Sequence, residues 1–243
     1  VRPGRPLRWA ARAAALAAVV GFAAILTTVF LRDAGWATVT AVERQTVALA
    51  DGSTVDLDAG ARLMVPEAGS EDPRRARLLA GNALFRVVRN EAAPFEVTTP
   101  NAEVTVLGTT FAVAATDVRT EVVLVSGAVT LAPRATPDAA VRLAPGEQSQ
   151  VLALDAPSAP ERADFRALGW TGSVFAHDAT VGGVARQLSD VFGVPVRVDP
   201  ALAGERISDG EYGADGLEDA LDKLARALGA RAVADGAGYR IEG

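Results

Sequence analysis

Few side chains in this sequence could do covalent or metal chemistry. The chain has no cysteine, and its single histidine, His177, is followed by Asp178. A zinc site built on imidazole needs more than one histidine, and a Ser-His-Asp triad would have to use this one. We expect His177 to be a solvated loop residue rather than a ligand or a pH switch. We also expect no cofactor, no metal site and no enzymatic activity.

Three carboxylates in the segment DGSTVDLD resemble a calcium loop, but their spacing does not fit one. They are Asp51, Asp56 and Asp58. If Asp51 is the first position of an EF-hand loop, the fifth is Val55 and the twelfth is Arg62, where a bidentate glutamate is needed. We interpret the carboxylates as turn and surface groups. The patterns GxSxG, GxxxxGK[ST], HExxH and GxGxxG are missing from this region, which makes an envelope hydrolase the weakest candidate function.

One polar helix face is a candidate for binding a partner. Apolar residues at helical spacing predict a helix that ends at Gly193, and its polar face carries Arg186, Gln187 and Asp190. A partner could dock on this face. Alternatively, a strand of the partner could pair with the edge of the neighbouring sheet.

A second predicted helix repeats the first one at an offset of 36 residues. Val181 matches Leu217, Leu188 matches Leu224, and the glycine at the end of each helix matches the other. A short alternating run follows each helix. This pattern predicts a small domain with a duplicated strand-helix-strand unit over residues 165–243, joined by a Pro- and Ala-rich linker over residues 153–164.

Residues 38–151 alternate between apolar and polar positions, and Gly or Pro interrupts the pattern at short intervals. Many short strands of this kind predict an all-β domain with two sheets. The apolar residues have even numbers at Val104 and Val106 but odd numbers at Phe111 and Val113. A strand cannot change this parity without changing face, so we expect a bulge or a sharp bend at Gly108. The overall fold class is mainly β plus α+β.

Residues 13–31 form an uncharged apolar stretch of 19 residues, close to the length that spans a bilayer. Four arginines precede it, so the positive-inside rule places residues 1–12 in the cytoplasm as a short basic tail and the later domains outside. We predict a single-pass membrane protein whose later domains lie outside the cytoplasm. A cleaved signal peptide and a buried soluble helix are the alternative interpretations.

The net charge of the chain is −6, and the charge is unevenly distributed. The first 32 residues contain five arginines and no acid, which leaves 19 basic and 30 acidic residues, a net charge of −11, in the remainder. Because an acidic surface is repelled by phosphate backbones, we expect no direct binding of nucleic acid.

The order of motifs in the β-patterned region resembles the FecR family. A DGS turn is followed by an LxxGxxxFxV strand, a PFxV strand and a VxVLGTxF strand. The positions that carry the resemblance, to which we assign structural roles, are Asp51, Gly52, Ser53, Gly81, Phe85, Pro94, Phe95, Gly108, Thr109 and Phe111. The predicted C-terminal domain is similar to the short N-terminal domain of secretins and TonB-dependent receptors.

The resemblance implies a function in signal relay. FecR-like proteins pass a signal from the signalling domain of an outer-membrane TonB-dependent receptor to an extracytoplasmic-function sigma factor, usually in iron-siderophore uptake. Family members carry a cytoplasmic sigma-binding domain before the membrane helix. Twelve residues are too short to form one, so we expect sigma binding only if a longer N-terminus exists. The alternative function is a membrane-anchored envelope adaptor without transcriptional output.

Overall fold

The structure is a computed structural model that describes residues 35–207 and 209–243. The predicted basic tail and membrane helix, residues 1–12 and 13–31, lie outside the described residues. Among the residues that are described, no helix is both long and apolar enough to cross a membrane.

Residues 36–162, the β region, contain thirteen strands among the described residues. These are β1 (Trp36–Thr40), β2 (Gln45–Ala48), β3 (Thr54–Leu57), β4 (Arg62–Pro66), β5 (Arg75–Arg86), β6 (Phe95–Thr98), β7 (Ala102–Val106), β8 (Thr110–Ala115), β9 (Arg119–Ser126), β10 (Val129–Pro133), β11 (Val141–Leu143), β12 (Glu147–Leu152) and β13 (Glu161–Arg162).

The strands form two sheets that share β5. Sheet A has the order β1-β4-β5-β6-β7-β10-β11, and sheet B has the order β2-β3-β5-β8-β9-β12-β13. Strand β6 runs parallel to β5, whereas β7 and β10 are antiparallel to their neighbours. The main core lies between the two sheets. It contains one apolar face of each, for example Leu57, Phe85, Val97, Phe111 and Leu131, all fully buried.

Strand β5 passes from sheet A to sheet B at Gly81. Its first half pairs with β4 and β6, and from Gly81 onward it pairs with β3 and β8. Gly81 has φ +92°, and a Cβ atom there would lie 2.5 Å from Cα of Ala61. Only glycine fits this bend, because any side chain would overlap the neighbouring backbone.

The chain also changes sheet at Gly108, where the sequence predicted a bulge or a bend. Strand β7 belongs to sheet A and β8 to sheet B, so the apolar parity changes because the facing sheet changes. The ladder between β8 and β9 also shifts register between Thr110 and Phe111. Both expected features are present within a few residues.

Residues 165–243, the C-terminal region, contain a short 3-10 helix (Phe165–Thr171), two α-helices and five strands. The elements are β14 (Val174–Ala176), α1 (Val181–Phe192), β15 (Val196–Val198), β16 (Gly210–Tyr212), α2 (Leu217–Leu228), β17 (Arg231–Asp235) and β18 (Gly238–Glu242). Strands β14 and β16 form one small antiparallel sheet. A second sheet has the order β15-β18-β17.

The offset of 36 residues on which the predicted duplication rests recurs in these bounds. Strands β14 and β16 begin 36 residues apart, and so do α1 and α2, which have equal length. Gly193 and Gly229 end the helices in the left-handed conformation, at φ +66° and +63°. The two units pack around a shared core that includes Val184, Leu188, Leu221 and Leu224.

The predicted linker, residues 153–164, is attached to sheet B along much of its length. Ser158 N donates to Gln150 O at 2.8 Å, and Ala163 N donates to Gly146 O at 2.8 Å. Strand β13 lies within this segment and pairs with β12. A segment rich in Pro and Ala is thus ordered by hydrogen bonds to the sheet, and the sequence pattern did not show them.

Candidate functional site

The DGS turn between β2 and β3 is held by a buried ion pair. The Asp51 carboxylate accepts hydrogen bonds from Ser53 N and Ser53 Oγ, both at 2.9 Å. Arg74 Nη1 lies 2.5 Å from Asp51 Oδ2, and both side chains are more than nine-tenths buried. Asp51 is therefore not the surface group that we expected, because Arg74 supplies a compensating charge within the fold.

Arg74 also connects this turn to the loop before β6. Its Nε donates to Ala93 O at 2.7 Å, and its Nη2 donates to Val88 O at 3.0 Å. Val88 N in turn donates to Ser53 Oγ at 3.0 Å. One guanidinium thus orders the turn and the loop together.

The motif phenylalanines form one aromatic cluster in the core. The rings of Phe85 and Phe111 stack at 5.2 Å between centroids, and Phe95 lies 6.4 Å from Phe85 at a tilt of 56°. The Arg74 guanidinium is 5.6 Å from the Phe95 ring centroid, a cation–π distance. Pro94 immediately precedes β6 and so positions Phe95 at the start of its strand.

Gly108 and Thr109 form the crossing between the sheets. A Cβ atom on Gly108 would lie 2.4 Å from Cα of Arg89, so the two backbones touch there. Thr109 Oγ1 donates to Ala128 O at 3.0 Å, which ties the crossing to the turn after β9. These contacts give both residues a structural role.

The predicted partner-binding residues lie along one side of α1. Arg186 and Asp190 are exposed, and Arg186 Nε donates to Gly182 O within the helix at 3.2 Å. Gln187 is half-buried and lines a cleft between the C-terminal region and the β region. Binding by these three residues stays a prediction.

The C-terminal region packs on the outer face of sheet B through an apolar contact. Residues of β5, β8 and β9 that face away from the main core form a separate buried cluster with Leu168 and Phe175. The sheet residues in the cluster are Leu84, Ala112, Val123 and Val125. Because this part of sheet B is buried on both faces, the run VVLV in β9 is continuously apolar.

An ionic contact lies beside the apolar one. Arg86, at the end of β5, donates from Nε and Nη2 to the two carboxylate oxygens of Glu211 at 3.0 and 2.6 Å. Its Nη1 donates to Asp56 Oδ2 at 2.6 Å. Burial alone would lower the pKa of Arg86, but the hydrogen bonds to Glu211 and Asp56 outweigh it and raise the pKa above its usual value. The guanidinium therefore stays charged.

The two contacts come from equivalent positions of the internal repeat. Phe175 and Glu211 are 36 residues apart and pair directly in the β14–β16 ladder. Side chains of directly paired residues lie on the same face of a sheet. The other face of this small sheet carries Val174, Ala176 and Tyr212 into the core of the C-terminal region. We call the face with Phe175 and Glu211 the docking face.

His177 lies in a loop at the end of this interface, as expected, but its side chain is only partly exposed and makes two contacts that we did not expect. Its Nδ1 lies 2.8 Å from Asp209 Oδ2, and its ring packs over Gly146 of the β region so closely that a Cβ atom there would overlap it. Within the described residues, no group of three or more His, Cys, Asp or Glu side chains could hold a metal ion.

Comparison with known proteins identifies the β region. The model of the FecR protein family matches residues 37–130, which include all the motif positions named above. Residues 37–130 are thus similar to a FecR domain, and we call the β region that contains them the FecR domain. A search of curated proteins found no match.

Two crystal structures of a "putative anti-sigma factor" from Parabacteroides distasonis ATCC 8503 are similar to this chain. The 2.50 Å structure has 25% sequence identity and a TM-score of 0.50, and the alignment covers 85% of this chain and 98% of that one. The 1.65 Å structure has 26% identity, a TM-score of 0.49, and coverage of 85% and 97%.

Sequence reasoning missed the residues that join the FecR domain to the C-terminal region. Arg86 immediately follows the motif position Phe85, and Glu211 is the repeat equivalent of Phe175. The repeat offset could have indicated that Phe175 and Glu211 share a face. It could not have indicated that the FecR domain covers that face.

Proposed function

We propose that this chain is a sigma-factor regulator that relays a signal from the signalling domain of an outer-membrane TonB-dependent receptor to an extracytoplasmic-function sigma factor. The observation that carries the proposal is the combination of a FecR domain with a structural similarity that extends over 85% of the chain. The similar protein is described as a "putative anti-sigma factor", and we extend that role to this chain.

The geometry of the interface supports a relay. The C-terminal region is joined to the FecR domain by an apolar contact and by a bidentate ion pair. A partner that binds the polar face of α1 would therefore act on a structure that is continuous with the FecR domain. In this scheme, α1 receives the receptor, and its candidate contacts are Arg186, Gln187 and Asp190.

The proposed location is the bacterial inner membrane. The apolar stretch at residues 13–31 would anchor the chain, with the N-terminus in the cytoplasm and the FecR domain in the periplasm. The receptor would then be contacted on the periplasmic side, and a sigma factor on the cytoplasmic side only if a longer N-terminus exists. Iron-siderophore uptake is the proposed physiological setting.

Deletion of the gene in its host tests this function. We expect the transcripts controlled by one extracytoplasmic-function sigma factor to change, and the full-length gene to restore them. Complementation with Leu188→Asp should fail to restore the response to the inducing ligand, because Leu188 is fully buried in the core of the C-terminal region. Arg134→Ala, an exposed substitution in the FecR-domain part of the chain, is the control and should complement fully.

Unchanged sigma-dependent transcripts after deletion would contradict the proposal. They would favour the alternative, a membrane-anchored envelope adaptor that binds partners without transcriptional output.

A further inference from the structure

A small cleft lies where the end of sheet B in the β region meets the C-terminal region. Its volume is about 170 Å³, roughly that of five water molecules in the liquid. Gly146, Arg162 and Asp164 line one side, and His177 and Gln187 line the other. The cleft therefore exists only when the C-terminal region is docked.

The cleft has an excess of positive charge. Arg162 and Arg166 are exposed at its margin, and within the described part of the chain neither guanidinium forms an ion pair. One carboxylate, that of Asp164, lines the cleft with the two arginines and leaves them in excess. Asp164 Oδ1 accepts the backbone N–H of Arg166 at 3.1 Å, and Asp209 is bonded to His177.

This charge stands out against the rest of the molecule. After residue 32 the chain carries 19 basic and 30 acidic residues. An acidic ligand would be repelled by most of this surface and attracted where two arginines lack partners. The charge pattern therefore favours a carboxylate-bearing ligand where unpaired arginines lie close together, as Arg162 and Arg166 do at the cleft.

The backbone at the cleft can accept another strand. Among the described strands, β13 is the outermost strand of sheet B and pairs on one side only, with β12. Ala163 N donates to Gly146 O at 2.8 Å, so this residue pair is hydrogen-bonded. Hydrogen-bonded and non-bonded pairs alternate in an antiparallel ladder, so the N–H and C=O of Arg162 point away from β12 toward the open edge.

Two aromatic rings lie among the mainly polar groups of the cleft. Phe165 and Phe175 both line it, and their ring centroids lie 6.2 Å apart. An occupant that alternates acidic and uncharged side chains could place carboxylates against the arginines and the other side chains over the rings.

We propose that this cleft binds an extended acidic segment of a partner protein. The segment adds to the edge of β13 at Arg162, and its carboxylates contact Arg162 and Arg166 through charge-assisted hydrogen bonds. The polar side of α1 at Gln187 forms the opposite wall. This inference does not depend on the role in sigma-factor control, because it concerns the chemistry of the partner and not its output.

A peptide-binding experiment with the purified full-length chain tests the proposal. The probe is a fluorescein-labelled decapeptide of alternating Glu and Thr, followed by fluorescence anisotropy. We expect saturable binding that weakens as salt increases. The corresponding peptides with Gln or Lys in place of Glu should not bind.

Two double variants, each of which replaces two arginines with glutamates, test where the peptide binds. Arg162→Glu with Arg166→Glu should weaken binding about tenfold or more, since two charge-assisted contacts become repulsive. Arg134→Glu with Arg142→Glu, at exposed positions elsewhere in the β region, should leave binding within about twofold, because distant rim charges act only weakly. Circular dichroism of each variant checks that it is folded.

The proposal is overturned if the Glu peptide does not bind the wild-type chain, or if both double variants weaken binding equally. N-methylation of alternate peptide bonds in the probe tests the strand pairing. Methylation of either the odd or the even peptide bonds gives two probes, and only one of these two sets of N–H groups would face β13. One of the two probes should therefore not bind, and binding of both would refute pairing with β13.

Discussion

At the scale of single residues, the Arg74 side chain provides hydrogen bonds to three buried or half-buried polar groups, and nothing in the sequence around Arg74 indicates this. It pairs with Asp51 and donates to the carbonyl groups of Val88 and Ala93. Loss of one member of a buried pair leaves the other member charged and without a partner, which is strongly unfavourable. The DGS motif of the FecR domain therefore depends on an arginine more than 20 positions away in the chain.

Arg74→Ala should lower the free energy of unfolding by about 3–5 kcal/mol, because the Asp51 carboxylate would remain buried without its partner. The adjacent Arg75→Ala is the matched control. Its ion pair with Asp72 is half-exposed, and a change of about 0–1 kcal/mol is expected. Urea unfolding followed by circular dichroism measures both, and equal effects would show that the buried pair has no special importance.

Gly108→Ala should also destabilise the protein, by about 1–3 kcal/mol, because the new methyl group would overlap the backbone of Arg89. Gly204→Ala is the control, since no atom lies within 4 Å of a Cβ atom there and its φ does not require glycine. The measurement is the urea midpoint at constant m-value. A wild-type midpoint for Gly108→Ala would contradict the close approach at the sheet crossing.

At the scale of elements, the small β14–β16 sheet connects two cores. One face contributes Val174 and Tyr212 to the core of the C-terminal region, and the docking face contributes Phe175 and Glu211 to the contact with sheet B. All three residues of β14 are buried, so this strand packs against other elements on both of its faces and is not exposed to solvent.

A double-mutant cycle can measure the ionic part of this joint. Arg86→Ala and Glu211→Ala should each destabilise the protein, with a coupling energy of about 1–2 kcal/mol, because the pair is bidentate and largely buried. The control cycle uses Arg231 and Glu242, an exposed pair between β17 and β18, for which a coupling of about 0–1 kcal/mol is expected. A coupling near zero for Arg86 and Glu211 would show that the apolar contact alone holds the joint.

At the scale of the whole molecule, residues 38–243 form one compact unit. Phe175 takes part in the apolar contact between its two parts, and only about 2% of its surface is exposed. We expect the wild-type chain to unfold in one cooperative transition.

Phe175→Ala should uncouple the two parts, because the core of the C-terminal region does not include this residue. Hydrogen exchange followed by mass spectrometry should then show residues 174–242 opening at lower denaturant than residues 38–152. Leu154→Ala is the control, since Leu154 is 75% exposed and its loss should leave a single transition. A single transition in Phe175→Ala would show that the remaining contacts, such as those of Leu168 and the Arg86–Glu211 pair, maintain the coupling.

The periodic elements of this protein could be predicted from the sequence because they depend on local pattern. Helical spacing and end glycines indicated α1 and α2, and the offset of 36 residues indicated the duplication. The parity change between Val106 and Phe111 located the bend at Gly108. The FecR resemblance followed from motif order, and the family match supports it.

The contacts between distant segments could not be predicted, because no local pattern encodes them. The sequence did not indicate that Asp51 would be buried against Arg74. It also did not indicate that the His177 ring would pack on Gly146. The outer face of sheet B carried an apolar run that only the docked C-terminal region explains. The sequence by itself thus determined the elements, the repeat and the family. The tertiary structure alone decided how the two parts join, because burial and charge pairing across the interface depend on residues far apart in the chain, such as Arg86 and Glu211, which are 125 positions apart.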